Sequence, residues 1–300
     1  MEQKCGRPPT NAKMTRRKTS LLVRTALLKL GVSTRKLARK YGISQTRVCQ
    51  ILRKEQVHHL QRERSANYHG DQAERAKKCC QVLRRHFFAP SLGYKIVMDD
   101  ESYFPLKSDN CPGNSGYYKR RDMAKGDVPE EIRFCGQDKY PVKLMVWVAI
   151  SEHGISEPFF CPRKVSVNGE IYRSDCIEER LVPFLNKFHA DGMYYFWPDL
   201  ASSHYAKATL DLFERENIAY IPKTANPPNC PQLRPIEDFW GCLKSAVYND
   251  GWEARSLRQL RQRIRQKLRG FNQEFCQTLF HSVRKNIRNA AEKGVLSANH

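Results

Sequence analysis

Apolar positions recur along the chain with two periods, and the change from one to the other divides it. Near the N-terminus the period is helical. Leu21, Leu22, Ala26, Leu27 and Leu30 form a stripe that stops at Gly31. Ser33 predicts the N-cap of a second helix through Tyr41, Gly42 a tight turn, and Ser44 the cap of a third helix to about Lys54. Leu37, Ala38, Ile43, Val48, Ile51 and Leu52 are the inward set. Three short helices with a glycine turn before the last are the pattern of a helix-turn-helix. Residues 55–90 are polar and basic, a linker with one helix from Gln72 to about His86.

From Ser91 onward, strand patterns enter. Tyr94–Met98 reads as a buried strand with Asp99, Asp100, Glu101 and Ser102 at its end. Val142–Ser151 is the strongest strand signal, and Gly154 turns it back toward a hairpin partner at Glu157–Pro162. Glu170–His189 is expected to be helical, Met193–Trp197 a strand ending at Asp199, Ala206–Asn217 a helix and Ile218–Ile221 a short strand. A Pro/Asn-rich loop leads to a helix with Ile236, Trp240, Leu243 and Val247 inward. Leu257, Leu260, Ile264, Leu268 and Phe271 mark another helix, whose opposite side is rich in Arg. Strands first, then alternating helix and strand, predict an α/β core: a mixed sheet with helices on both faces.

Charge sharpens this division. The net charge is +21, distributed as +17 over residues 1–90, −4 over 91–250 and +8 over 251–300. Basic flanks around a slightly acidic middle imply a polyanionic partner for the flanks and an acidic site between them. In the third helix of the N-terminal unit, Gln45, Thr46, Arg47, Gln50 and Arg53 are expected to face outward, and Gln and Arg are the types that read adenine and guanine edges. Arg7, within Gly6-Arg7-Pro8-Pro9, suits an extended arm in a narrow minor groove. Eleven cysteines without paired CxxC spacing point to free thiols in a reducing compartment and give no zinc pattern. The N-terminus has no apolar signal region, and no apolar run is long enough to span a bilayer, so no membrane partner is expected.

The acidic middle supplies the candidate chemistry. Asp100 and Asp199 stand at the carboxyl ends of predicted strands, where mixed sheets place their sites, and Glu237 opens the helix after the Pro/Asn loop. Two strand carboxylates and one helix carboxylate can converge on a pair of divalent metals and support attack on a phosphodiester. Strand alternation pairs Val97 with Asp99 on one face and Met98 with Asp100 on the other.

These residues carry a resemblance. Asp100-Glu101-Ser102, Asp199-Leu-Ala-Ser-Ser-His204 and Pro227-Pro-Asn-Cys-Pro-Gln-Leu-Arg-Pro-Ile-Glu237 look like the three motifs of the Tc1/mariner superfamily of transposases, and thirty-seven residues separate Asp199 from Glu237. The resemblance implies an RNase H-like catalytic fold. It also implies a DDE site of Asp100, Asp199 and Glu237 holding two Mg²⁺ or Mn²⁺ ions, with Asp100 shared between them and His204 in support. The implied substrate is double-stranded DNA, with terminal inverted repeats bound and cut and insertion at TA. A homodimer or larger synaptic complex and a nuclear location complete the expectation. The motif selects Asp100 over Asp99 and leaves Glu101 as a surface or supporting residue.

The expected layout is a basic arm (1–17), a helix-turn-helix domain (18–54), a linker and helix (55–90), an RNase H-like core (91–250) and a basic helical C-terminal segment (251–300). The family commonly joins two helix-turn-helix units by a Gly-Arg-Pro linker, and here only the second is expected. Leu200, Cys230, Gln232 and Arg234 depart from the usual Asn, Ser, Asp and Asn. None of these changes removes a carboxylate. The alternative function is a transposase-derived, sequence-specific DNA-binding protein with disused catalysis.

Overall fold

The computed structural model describes residues 14–60, 66–89, 93–107, 116–120, 122–134, 139–162 and 167–298. The chain forms two compact units, Met1–Arg64 and Ser65–His300.

The first unit is three helices, α1 (Arg16–Leu28), α2 (Thr34–Tyr41) and α3 (Gln45–Lys54). Ser33 Oγ accepts from Lys36 N and Ser44 Oγ accepts from Arg47 N, both at 3.2 Å, so each serine satisfies an otherwise free helix donor. Gly42 ends α2 at φ 63°, a left-handed conformation that costs a residue without Cβ nothing. Leu22, Leu37, Ala38, Ile43, Val48 and Ile51 form a small core, with Leu52 partly buried. The stripe on α1 is the exception: Leu22 alone is fully buried, while Leu21, Leu27 and Leu30 are exposed. Three short helices enclose too little volume to cover every apolar side chain of the first.

The second unit is built on a mixed sheet in the order β3-β2-β1-β5, with β4 also paired to β2. The strands are β1 (Lys95–Pro105), β2 (Lys143–Ser151), β3 (Gly154–Ile155), β4 (Phe159–Phe160) and β5 (Tyr194–Trp197). β1 is longer than its apolar run predicts. The antiparallel ladder to β2 carries it from Val97 to Pro105, so Asp99–Ser102 lie inside the strand and not at its end. Its parallel pairing with β5 covers only Lys95–Met98. The expected strand at Ile218–Ile221 reduces to one bridge, Phe196 to Tyr220.

Alternation along β1 and β2 divides the core. Met98, Phe104, Val146 and Val148 face one side, together with Trp197. Against them pack α4 (Gln72–His86), α9 (Pro235–Val247), α10 (Leu257–Leu268) and α12 (Val283–Lys293). Val97, Trp147, Ala149 and Phe196 face the other side, under the helical segment 169–188 and α8 (Lys207–Arg215). That segment is not uniform: α6 (Gly169–Ile171) passes into a π-helix over Tyr172–Leu181 and then α7 (Val182–Phe188). The Val182 N–H bonds to Ile177 O, a five-residue step, just before Pro183, which has no N–H to donate. A short α5 (Glu130–Arg133) and α11 (Gln273–Phe280) complete the helices named here.

Ala76, Cys80 and Leu83 of α4 share one core cluster with Leu260, Ile264, Val283 and Ile287, so the helix of 55–90 and the C-terminal helices belong to the same body as the sheet. Among the described residues no helix is long and apolar enough to cross a membrane.

Candidate active site

Asp100 and Asp199 meet because two neighbouring strands end at different places. β5 stops at Trp197, Pro198 cannot extend the ladder, and Asp199 turns away beside the middle of β1. Asp100, on the Met98 side, points toward α9, where Trp240 Nε1 donates to its Oδ2 at 3.0 Å. Glu237 lies in the first turn of α9, exposed, and lines the same cleft of about 260 Å³ as Asp100, Asp199, Asn226 and Arg234.

Asp199 is held by its own turn. Its Oδ1 accepts from Ala201 N at 2.9 Å and lies 2.5 Å from His204 Nδ1. The turn is not helical, so His204 reaches back to Asp199 by a loop. The His204 ring stacks on Tyr172 at 3.9 Å between centres. Burial pushes the Asp199 carboxyl up, but His204 and the Ala201 N–H outweigh it and hold it below the ordinary value. Burial likewise pushes His204 down, and the carboxylates around it win, leaving its pKa raised.

Glu101 and Asp99 are the residues that sequence reasoning undervalued. One carboxylate oxygen each from Asp100, Glu101 and Asp199 lies within 4.8 Å of the others. Glu101 is therefore no plain surface residue: burial first, then the charges of Asp99, Asp100 and Asp199, raise its pKa to about 8. Burial, with Glu237 adding to it, raises Asp100 to about 6. Asp99 is fully buried on the opposite face, its Oδ2 accepting from Tyr172 OH at 2.8 Å and Trp147 Nε1 at 3.0 Å, while its Oδ1 has no hydrogen-bond partner. A polar signal inside a strand was the available clue to both.

Two more side chains fix the cleft. Asn226, 4% exposed, donates to Pro198 O at 2.8 Å and Tyr205 OH at 3.0 Å, and accepts from Trp197 Nε1 at 2.8 Å. Arg234 donates to the carbonyls of Asp99 and Pro198 at 2.9 and 3.2 Å.

The donor set suits a hard divalent cation. It consists of carboxylate oxygens only, crowded enough that their mutual repulsion calls for a compensating charge. Asp100, Glu101 and Asp199 form the compact group; Glu237 stands on the cleft wall outside it.

In the N-terminal unit Gln45, Thr46, Arg47, Gln50 and Arg53 are all exposed on α3. Gln45 Nε2 donates to Thr34 Oγ1 at 2.9 Å, and Arg47 Nη1 to Gln50 Oε1 at 3.1 Å. Arg7 lies outside the described residues. The Arg-rich side of α10 is partly occupied by packing: Arg261 and Arg265 lie over Phe160 and Arg263 over Trp252.

No family model matches the chain. The Tc3 transposase of Caenorhabditis elegans is 29% identical over 170 residues, 57% of this chain and 47% of that protein, so the chain spans about half the length of the curated relative it matches. Among solved structures, a Mos1 transposase paired-end complex with the left transposon end superposes with a TM-score of 0.70 at 18% identity, over 98% of this chain and 82% of that one. A Mos1 mariner paired-end complex with Mn gives 0.69 at 18% identity over the same shares. The Mos1 catalytic domain gives 0.57 at 17% identity, over 77% of this chain and 97% of that domain. At these identities the structural likeness speaks for the fold, which is RNase H-like in the second unit.

Proposed function

We propose that this chain is a transposase of the Tc1/mariner superfamily, acting on a cut-and-paste DNA transposon, a reading supported by its likeness to the Tc3 transposase and to the Mos1 structures. It binds terminal inverted repeats, cuts at their ends and joins the freed ends to TA target sites. The observation that carries this reading is the convergence of Asp100, Glu101 and Asp199 oxygens within 4.8 Å, at a cleft that Asp100, Asp199 and Glu237 line. Asp100, Asp199 and Glu237, with Glu101 beside them, would hold Mg²⁺ or Mn²⁺, two ions in all. Bound there, the ions supply an activated oxygen nucleophile and charge stabilisation for the leaving oxygen of an in-line displacement.

The chain's own residues prepare that cleft. His204 and the Ala201 N–H keep Asp199 ionised and aimed. Trp240 fixes one oxygen of Asp100. Asn226 pins Pro198, the residue that turns the chain into Asp199. The first unit reads DNA through α3, with Gln45, Thr46, Arg47, Gln50 and Arg53 toward the major groove and Arg7 in the minor groove. Pairing two ends requires a homodimer or larger synaptic complex, and the substrate sets a nuclear location.

The test is cleavage of a labelled duplex carrying the flanking element's inverted repeat, with Mn²⁺ or Mg²⁺, by the wild type and Asp199→Ala. Cleavage at the repeat end by the wild type only supports the transposase. Specific binding without metal-dependent cleavage supports the transposase-derived DNA-binding protein instead.

A further inference from the structure

Where β5 ends and β1 continues, the sheet forks. The last parallel pair is Met98 with Trp197, and the ladder cannot extend through Pro198. Arg234 fills the fork. Its Nη2 donates to Asp99 O at 2.9 Å, and its Nη1 donates to Pro198 O at 3.2 Å and Trp197 O at 3.5 Å. Its guanidinium carbon lies 5.8 Å from the Trp197 ring centre. Arg234 also immediately precedes Pro235, the first residue of α9. One side chain therefore ties together the two strands and the helix that carry Asp100, Asp199 and Glu237. Its three hydrogen bonds go to main-chain carbonyls, so the carboxylates keep their oxygens for another cation. A planar, permanently charged fork with five donors can bridge both strand ends at once; an ammonium on a flexible stem cannot do so with the same geometry.

We propose that Arg234 is a positioning residue that holds the middle of β1, the turn that follows β5 and the start of α9 at fixed spacing before any divalent cation binds, while repelling that cation with its own charge. The second half rests on the reading of the cleft as a divalent-cation site; the first half does not.

Full-length wild type, Arg234→Gln and Arg234→Lys are compared by metal-free thermal unfolding and by calorimetric titration with Mn²⁺, with Asp199→Asn as the control. Both Arg234 variants are expected to melt below wild type without metal. Arg234→Gln, which loses the charge, is expected to bind Mn²⁺ about tenfold tighter than wild type, and Arg234→Lys, which keeps it, no tighter. Wild-type melting of both variants without metal overturns the clamp, and equal Mn²⁺ affinity of Arg234→Gln and wild type overturns the repulsion. If wild type and Asp199→Asn give the same null titration, the cation reading fails, and the metal-free melts still decide the clamp. A wild-type measurement guards against variants that do not fold. Amide exchange at Asp99 and Asp100 should be slow already without metal, and strong new protection on adding Mn²⁺ would show that the ion, not Arg234, closes the fork.

Discussion

Trp240 donates its indole N–H to Asp100 across 3.0 Å, from a helix that begins 135 residues after that aspartate. The ring is 4% exposed, so the carboxylate loses a buried donor when that N–H is removed. Trp240→Phe keeps the apolar packing against Phe104 and Phe239. It should cost about 1–3 kcal/mol in urea unfolding, the range for stranding a buried polar partner. Metal-dependent cleavage should fall as well, because Asp100 loses the contact that aims it.

Buried carboxyls give the metal-free protein a pH dependence of definite sign. Burial and neighbouring carboxylates raise Glu101 from 4.5 to about 8, and burial raises Asp100 from 3.8 to about 6. In both cases the folded state holds its proton more tightly than the unfolded chain. The associated stability is complete below the unfolded pKa and is lost as pH rises through the folded one. Melting temperature without metal should therefore decline between about pH 4.5 and 8, and Glu101→Gln should flatten the upper part of that decline. Saturating Mg²⁺ should flatten it too.

The hydroxyl of Tyr172 serves Asp99 while its ring supports His204. Tyr172→Phe retains the ring and removes the donor. Equilibrium unfolding should show a loss of about 1–3 kcal/mol, with the pKa of His204, followed by NMR, staying raised because Asp199 still faces it. Tyr172→Ala should lose both the stability and the fixed position of His204.

The two units give separable readouts. Ser44→Ala removes the cap of α3 and should cost the first unit about 0.5–2 kcal/mol, leaving the unfolding of Ser65–His300 unchanged. Arg53→Ala should leave folding intact. It should weaken duplex binding, and if Arg53 touches phosphate the slope of log affinity against log salt should fall by about 1.

Local patterns made much of this molecule readable. Ser33, Gly42 and Ser44 act within one turn of their own positions, and alternation at Val97–Asp100 sorts side chains between faces without any distant partner. Features set by distant pairing were not readable in the same way. β1 reaches Pro105 because β2 lies alongside it, not because Asp-Asp-Glu-Ser favours a strand. Glu101 joins the acidic group because a turn 98 residues later brings Asp199 to it. Asn226 sits in a loop whose composition announces only a turn, and its three hydrogen bonds depend on where β5 stops. Within the expected helical segment 251–300 the separate bounds of α11 and α12 were not readable, because their apolar positions are sparse among polar ones.

The fork between β1 and β5 also bears on the order of events during synthesis. β2 follows β1 after 37 residues, but β5 and α9 arrive much later in the chain, and contacts of large sequence separation form late. A polypeptide still being made can hold the β1–β2 ladder with Asp100 and Glu101 in it and yet have no cleft. The carboxylate cleft is then assembled only once the chain has passed α9, so a growing or prematurely terminated product would lack the site on which the proposed reaction depends.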